Sequence, residues 1–313
     1  EWETTTFGIG TSNKIKILKK IDFPHSIGLL YSTITTYLGF KANNGEFKVM
    51  GLSPYGNLTK TNIYYKKLQK IIDLKDDGSF SLDMSYFDFI SKEKMPSKKL
   101  LNLLGGTQRK PNELLTKKHK DIAAALQMIA EDIILKILNH VHKETMCENL
   151  VMSGGVSLNS VLNGKILKNT PFKNLWIQPA ASDSGNSVGC ALYTYNCVLD
   201  KKRNYVMEDL YLGPEYSNEK IKKSLDAFNL KYNKLETKNL IKKTAELLND
   251  NKIISWFQGK MEYGPRALGS RSILASPLNS DMKDIINSRV KHREPFRPFC
   301  PSVIAEKTSE WFE

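Results

Sequence analysis

Two neighbouring stretches of the chain repeat the same order of a short apolar strand, a turn of small residues and a helix. The first strand, Asn149–Met152, is followed by the turn Ser153–Gly155 and a helix that begins near Ser157. The second strand, Leu175–Gln178, is followed by a turn that contains Asp183 and by another helix. Strands that alternate with helices are typical of a parallel sheet. We therefore predict an α/β fold.

The length of the chain predicts two domains. Its 313 residues are enough for two units that each bury a core. The apolar pattern breaks between Asp200 and Pro214, so we divide the chain into domains 1–204 and 205–313. The sequence opens at Glu1 without the basic and apolar regions of a signal peptide, and we expect it to be a fragment of a longer protein.

The charge does not by itself identify a partner. Lys and Arg number 46 and Asp and Glu 33, which gives a net charge of +13. The lysines are spread along the chain among many Asn and Ile residues, as an AT-rich genome would encode, so we favour no nucleic-acid partner. The longest uncharged run, Phe23–Phe40, is too polar to cross a membrane.

The cysteines argue for a reducing compartment. They lack the spacing of a zinc site or a disulfide framework, and we expect ordinary buried residues in a cytoplasmic protein. The four positions are Cys147, Cys190, Cys197 and Cys300.

The turn after the first strand is a candidate phosphate or nucleotide site. Gly154 and Gly155 allow backbone N–H groups and a helix N-terminus to approach an anion closely. Asn159 and Asn163 lie one helical turn apart, where their amides could reach the hydroxyl groups of a ligand. A tight turn without a ligand is the alternative.

Asp183 is the candidate metal ligand of the second turn. Its carboxylate could bind a hard cation or orient a phosphate, or it could cap the following helix. One carboxylate does not make a metal site, and no histidine completes it at a recognisable spacing.

Two earlier stretches are less specific. The glycines between Gly45 and Gly56 suggest a backbone shaped around a ligand, and an ordinary surface turn is the alternative. The lysine-rich stretch Asn57–Arg109 has the character of an insertion or cap, where we expect contacts with a substrate.

The strongest functional signal is a basic cluster in the second domain. Eight Lys or Arg residues and four acidic residues lie between Lys260 and Arg297. A solvated basic face is the alternative, but such faces rarely place arginines among Gly, Pro, Leu and Ile. Arginines held in that way can bind phosphate or carboxylate groups through two parallel hydrogen bonds.

These motifs together resemble the O-carbamoyltransferase family of nodulation-factor and antibiotic biosynthesis. The resemblance covers essentially the whole chain, and the last motif is highly specific. The matching stretches are Phe23–Gly28, Gly45–Gly56, Met152–Asn159, Gln178–Gly185 and Met261–Leu274.

The resemblance implies both a fold and a reaction. Domain 1–204 would be the C-terminal part of an actin-like ATPase domain, similar to the threonylcarbamoyl-transferase subunit, and domain 205–313 would be a truncated YrdC-like domain. Carbamoyl phosphate and ATP would form carbamoyl-adenylate and pyrophosphate in the second domain. The carbamoyl group would then pass to a hydroxyl of a sugar-like or secondary-metabolite acceptor in the first domain.

The resemblance also implies roles for individual residues. Gly154, Gly155 and Asn159 would hold the adenosine part, and Asp183 would bind a divalent metal, iron-like or Mg. Seven residues of the second domain would neutralise and align ATP and carbamoyl phosphate. Lys260 and Ser272 would bind the cofactor ATP. The catalytic residues would be Arg266, Arg271, Lys291, Arg293 and Arg297.

The chain departs from the family pattern in several places. By the resemblance, a histidine pair that supplies metal ligands would lie before Glu1, and we expect the second domain to be cut short after Phe312. Ser157 and Cys300 replace smaller residues. A tRNA-modifying or nucleic-acid-binding protein and an actin-like sugar kinase stay open as alternatives, and so does a homodimer.

Overall fold

The computed structural model describes residues 2–90 and 95–312, and the chain divides into two compact units, Glu1–Tyr205 and Val206–Glu313. Helices and strands are both present in each unit, which confirms a mixed α/β protein. The strands are β1 Glu3–Thr11, β2 Lys14–Asp22, β3 Ile72–Leu74, β4 Phe80–Leu82, β5 Asn149–Met152, β6 Asn174–Ile177, β7 Ile254–Phe257 and β8 Arg271–Leu274. The helices are α1 Ile27–Tyr37, α2 Glu46–Leu52, α3 Ile63–Gln69, α4 Lys98–Leu103, α5 Lys117–Thr145, α6 Ser160–Asn169, α7 Asn186–Tyr193, α8 Asn218–Ala227, α9 Thr237–Asn249, α10 Met282–Ile285 and α11 Thr308–Trp311.

Helix α5 is the centre of the first unit. Its apolar residues recur every three or four positions, and this stripe is buried against α1, α2, α3 and α6. The helix begins where the Thr116 N–H donates to His119 Nδ1 at 3.0 Å, and it ends at Met146 in a left-handed conformation. The apolar spacing in the sequence predicts a helix from Asp121 to about Val141; the structure confirms this helix and extends it by about a turn at each end.

The stretch before α5 is part of this core. Asn62 Nδ2 donates to the Asp121 carbonyl at 2.8 Å, and Tyr65 and Leu68 are buried against α5. The side chain of Arg109 is also buried, and its Nε donates to the Leu38 carbonyl at 2.6 Å. The prediction that 57–109 is an insertion or cap is therefore wrong for these residues, because their apolar side chains complete the packing around α5; residues 91–94 of that stretch lie outside the described part.

The glycines near Gly56 serve packing. The segment after Gly45 is helix α2 followed by a 3₁₀ turn at Ser53–Tyr55, and not an open surface turn. A Cβ atom built on Gly56 would lie 2.1 Å from the carbonyl oxygen of Lys120. The close approach of this turn to α5 is therefore what requires glycine at position 56.

Strands β5 and β6 form the predicted parallel pair. Asn149 lies opposite Asn174 and Met152 opposite Ile177, with α6 as the connection between the strands. The first turn is longer than predicted: a 3₁₀ segment, Gly155–Leu158, precedes α6, which begins at Ser160 instead of near Ser157. The carboxyl ends of both strands open onto the turns that carry the predicted site residues.

The described part of the second unit combines the four helices α8 to α11 with an antiparallel pair of strands. Ser217 accepts a hydrogen bond from the Lys220 N–H at 3.3 Å and caps α8, as its position in the sequence predicts. Strands β7 and β8 pair with Phe257 opposite Arg271. The segment between them, Gln258–Ser270, is closed at its neck by a 3.0 Å hydrogen bond from the Gln258 N–H to the Ser270 carbonyl, and we call it the Glu262 loop.

The prediction of ordinary buried cysteines is wrong. All four are free thiols; Cys190 and Cys300 are exposed, and Cys147 and Cys197 are half-buried. Cys190 and Cys197 lie on α7 and the π-helical segment after it, Thr194–Val198, whose uncharged residues are largely solvent-exposed.

Among residues 2–90 and 95–312, none of the helices has both the length and the apolar character that crossing a bilayer requires.

Candidate functional site

The two turns after β5 and β6 lie side by side. The Gly154 N–H donates to the Ala181 carbonyl at 2.7 Å, and Ser153 Oγ reaches the same carbonyl at 3.3 Å. Gly154 has a φ angle of +100°, which glycine adopts without strain. The parallel pairing of the strands therefore brings the glycine turn close to the turn that contains Asp183.

The space next to the glycine turn suits a ligand. A Cβ atom built on Gly154 or on Gly155 would meet no heavy atom within 4 Å. Asn163 Nδ2 donates to the Ser157 carbonyl at 2.8 Å, and its Oδ1 is buried with no hydrogen-bond partner among the described residues. Open space beside the glycines and an unpaired acceptor nearby are compatible with the adenosine site predicted here.

Asn159 faces the protein interior. Its Oδ1 accepts from the Leu162 N–H at 3.1 Å, so Asn159 is the N-cap of α6. Its amide also forms two hydrogen bonds with the amide of Gln127, at 3.0 and 3.1 Å. Asn159 therefore helps to hold α6 against α5, and a contact with adenosine stays a prediction.

A buried polar network extends from this pair. Gln127 accepts from the Tyr31 hydroxyl at 3.1 Å and donates to Glu131 at 2.9 Å. Lys165 Nζ lies 2.7 Å from Glu131 and balances its charge. Burial, together with the nearby carboxylates of Glu131 and Glu46, raises the pKa of Tyr31 well above its usual range, so the hydroxyl stays protonated. The network therefore holds Asn159, which follows the glycine turn in the chain, against α5.

Asp183 does not meet the needs of a metal site within the described residues. It begins a short 3₁₀ turn before α7, and its side chain is exposed. The described residues contain no group of three or more His, Cys, Asp or Glu that could hold a metal ion. A divalent cation needs more ligands than one carboxylate, and we derive no step through a metal.

In the second unit, one carboxylate holds the C-terminal end of the Glu262 loop. Glu262 Oε1 accepts from the backbone N–H groups of Leu268 and Ser270, each at 2.7 Å, and of Arg271 at 3.2 Å. Glu262 Oε2 accepts from Arg271 Nε at 2.8 Å, and Arg271 Nη2 donates to the Glu262 carbonyl at 3.1 Å. Gly264 and Gly269 have φ angles of +109° and +111°, which allow the loop to turn back on the carboxylate.

The electrostatics of Glu262 follow from these contacts. Burial of its side chain opposes ionisation, but the hydrogen bonds from Arg271 and from the backbone outweigh this effect and lower the pKa of Glu262 to about 2. Glu262 is therefore ionised at neutral pH. The side chain of Arg271 is 34% exposed and that of Glu262 is 0% exposed, so solvent reaches the cation and not the anion.

A second buried side chain holds the arginines that follow. Asn287 Oδ1 accepts from Arg293 Nε at 2.7 Å, and Asn287 Nδ2 donates to the Arg297 carbonyl at 3.0 Å. The Arg293 guanidinium lies 4.6 Å from the centre of the Phe299 ring. Burial and the charge of Arg297 lower the pKa of Arg293.

The remaining predicted residues of the second unit differ in their surroundings. Ser272 lies in β8, and its Oγ accepts from the N–H of Gly269 in the Glu262 loop at 3.1 Å. Lys260, Arg266 and Lys291 are exposed. These contacts gather Arg271 and Ser272 around Glu262, and Arg293 and Arg297 around Asn287; the roles of all seven residues in a reaction stay predictions.

Sequence reasoning missed the residues that hold this arrangement. Glu262 and Asn287 lie within the predicted cluster but were given no role, because the pattern of positive charge drew attention to the cations. A single acid inside a glycine-rich basic run is the signal that could have identified Glu262. No local pattern marks Gln127 or Tyr31, because their partners are distant in the sequence.

Two family models match the chain. Residues 1–192 match "Carbamoyltransferase N-terminus", and residues 245–313 match "Carbamoyltransferase C-terminus". The glycine turn and Asp183 fall in the first match, and the Glu262 loop and Asn287 fall in the second.

Curated relatives match over nearly the whole chain. An uncharacterised protein of Synechocystis sp. is 43% identical over 100% of this chain and 51% of its own length. The nodulation proteins NolNO of Sinorhizobium fredii and NolO of Bradyrhizobium diazoefficiens are each 34% identical, over 97% and 95% of this chain and 43% and 52% of their own lengths. The chain thus spans about half the length of the curated relatives that it matches. On the evidence of both family models and of these relatives, the chain belongs to the carbamoyltransferase family.

Proposed function

We propose that the protein is an ATP-dependent O-carbamoyltransferase that works through carbamoyl-adenylate. The observation that carries the proposal is the position of the Arg271 guanidinium. It binds the buried Glu262 carboxylate, and it is open to solvent at the end of a loop that turns on Gly264 and Gly269. Together with Arg293, held by Asn287, it would give the second unit cations at fixed positions for phosphate groups. Membership of the carbamoyltransferase family supports a carbamoyl group as the group that is transferred.

The proposed reaction has two steps that balance. Carbamoyl phosphate, ATP and water would give carbamoyl-adenylate, inorganic phosphate and pyrophosphate. Water cleaves the phosphate from carbamoyl phosphate, and an oxygen of the resulting carbamate attacks the α-phosphorus of ATP as the bond to pyrophosphate breaks. An acceptor hydroxyl then attacks the carbonyl carbon, AMP leaves, and the hydroxyl proton is released. We propose as the acceptor a small molecule that carries a hydroxyl group.

The residues of the second unit would act by charge and position in the first step. The phosphates of ATP and carbamoyl phosphate repel each other, and Lys260, Arg266, Arg271 and Lys291 would offset that repulsion. Ser272 would donate its hydroxyl to a phosphate oxygen, since its Oγ already accepts from the Gly269 N–H.

The first unit would carry the transfer step. Gly154 and Gly155 border open space at the carboxyl ends of two parallel strands, which is where nucleotides bind in many α/β sheets. This order of elements is compatible with the C-terminal part of an actin-like domain, and we propose a YrdC-like fold for the second unit. Asp183 stays a predicted ligand of a divalent metal, and no step of the proposed reaction is assigned to that metal.

The test is pyrophosphate release by the protein produced from its complete coding sequence. We expect release that needs both ATP and carbamoyl phosphate in the absence of an acceptor. Arg271→Ala should lower the rate by about 10²–10³-fold, because one charged donor to the transition state is removed. Arg289→Ala is the matched control, since Arg289 is an exposed arginine of the same unit, and it should keep the wild-type rate.

The same assay separates the alternatives. Absence of pyrophosphate release in wild type would contradict the adenylate step. ATP hydrolysis driven by a sugar without carbamoyl phosphate would favour a kinase. Binding of tRNA that weakens steeply with salt would favour a nucleic-acid partner.

A further inference from the structure

The Glu262 carboxylate uses both of its oxygens inside the protein. Oε1 accepts from three backbone N–H groups and Oε2 accepts from Arg271 Nε. The side chain has no exposed surface. A carboxylate with no exposed surface cannot touch a substrate, so Glu262 is not a catalytic base.

Arg271 is committed on one edge only. A guanidinium has five N–H donors, and the structure uses the Nε–H for the Glu262 carboxylate and one Nη2–H for the Glu262 carbonyl. The other three N–H groups of Arg271 have no hydrogen-bond partner among residues 2–90 and 95–312. They are the donors that a phosphate group could use, and their direction is set by the two bonds to Glu262.

The same carboxylate also holds the backbone that follows. Its bonds to Leu268 and Ser270 close the loop over the anion, and Ser272 then caps the Gly269 N–H at 3.1 Å. The Glu262 carboxylate therefore helps to fix the positions of both the Arg271 guanidinium and the backbone of Leu268–Ser270.

We propose that Glu262 is a positioning residue, which aims the free edge of Arg271 and the Leu268–Ser272 backbone at one phosphate group of the substrate. The proposal rests on the proposed function for the identity of that phosphate. Glu262 reduces the net charge at Arg271, so it contributes position and not attraction. Loss of the carboxylate should therefore slow the reaction far more than it weakens substrate binding.

The kinetic test compares Glu262→Gln with wild type in the complete protein, by pyrophosphate release with ATP and carbamoyl phosphate. We expect kcat to fall about 10–100-fold and the KM for either substrate to change less than about threefold. Glu246→Gln is the matched control, because among the residues that the structure describes the Glu246 side chain makes only an exposed ion pair, with Lys243 in the same unit, and it should match wild type. A parallel rise in KM with unchanged kcat would overturn the proposal.

A double-mutant cycle shows whether Glu262 acts through Arg271. In an Arg271→Ala background, Glu262→Gln should have a clearly smaller effect than in wild type, because only the Leu268–Ser272 backbone remains to be positioned. Full additivity would mean that the two residues act separately, and this result would overturn the proposal.

A binding measurement keeps the proposal testable apart from catalysis and from folding. Inorganic pyrophosphate is titrated into Arg271→Ala, which leaves Glu262 intact, with and without millimolar guanidinium. We expect guanidinium to raise the affinity of Arg271→Ala for pyrophosphate at least threefold, because it can occupy the place beside Glu262. It should have no effect on the affinity of Arg271→Ala/Glu262→Gln. Absence of rescue would overturn the positioning role. Rescue in a protein that releases no pyrophosphate would keep the positioning role and reject the proposed reaction.

Discussion

At the scale of single residues, buried polar groups show what the sequence pattern leaves open. Asn159 and Glu262 both lie in motifs that suggest ligand binding, yet their polar atoms are bonded to the protein itself. Each is therefore expected to affect stability as well as function. The two kinds of effect can be separated by measurement.

The stability contribution of Glu262 should depend on pH. The pKa of Glu262 is lowered from 4.5 to about 2 in the folded protein. Its ionised form therefore stabilises the fold fully above about pH 4.5, and this contribution is lost as the pH falls through about 2. We expect the difference in unfolding free energy between wild type and Glu262→Gln to shrink over that range. Urea unfolding at a series of pH values measures it, and a constant difference would contradict the assigned contacts.

Two glycines should respond to alanine in opposite directions. Gly56→Ala would place a Cβ atom 2.1 Å from the Lys120 carbonyl oxygen, and we expect a loss of about 1–3 kcal/mol as the backbone shifts. Gly164→Ala lies within α6 with open space around it, and we expect a gain of about 0.5–1 kcal/mol. Thermal unfolding of both variants measures the difference. Equal effects would show that the turn at Gly56 does not pack against α5 as described.

At the scale of elements, α5 and α6 are held together by polar as well as apolar contacts. The Asn159–Gln127 pair links the N-terminus of α6 to the middle of α5. The glycine turn lies between β5 and α6, so the position of α6 also sets the position of this turn. Substitution of a residue at the start of α6 should thus affect the whole βαβ unit.

Asn159→Ala tests this link. It removes the N-cap of α6 and leaves the buried Gln127 amide with unpaired groups, and we expect a loss of about 2–4 kcal/mol in unfolding free energy. Asn169→Ala is the control, since within the described part of the chain this exposed side chain bonds only to the Lys165 carbonyl of its own helix, and it should change stability by about 0.5 kcal/mol or less. Chemical denaturation measures both. Wild-type stability in Asn159→Ala, with weaker nucleotide binding alone, would instead favour a pure ligand contact.

At the scale of the whole molecule, the apolar surface is unevenly distributed. The core of the first unit surrounds α5, whereas α7 and the segment Thr194–Val198 are largely exposed although they carry no charge. Exposed apolar residues that are contiguous have a larger effect on surface properties than scattered ones.

A dye that fluoresces on apolar surfaces tests this distribution. Val198→Glu should lower the fluorescence of bound anilinonaphthalene sulfonate, because it places a charge within the uncharged helical surface, where Val198 is 63% exposed. Leu114→Glu is the control: Leu114 is 88% exposed but lies in a short segment that has charged residues before it, at Lys110 and Glu113, and after it, at Lys117, and the signal should not change. A larger drop for Leu114→Glu would contradict the assignment of the surface.

Much of the local structure could be predicted from the sequence. Helix α5, strands β5 and β6 and the cap at Ser217 follow from periodicity and from turn chemistry, both of which depend on residues close together in the chain. The family could also be identified from short motifs. The exposure of the cysteines and the packing of residues 57–109 could not, because apolar character fits both a core and an exposed helix.

By itself the sequence determined the mixed α/β character, the order of the elements and the positions of the basic cluster. Hydrophobic spacing and glycine placement act within a few residues, so they can be read along the chain. Only the tertiary structure decided that Asn159 pairs with Gln127, that Glu262 anchors Arg271, and that the Gly154 turn lies beside Ala181. A hydrogen bond requires two groups within about 3 Å in a suitable direction, and this closeness between distant residues arises only when the chain folds.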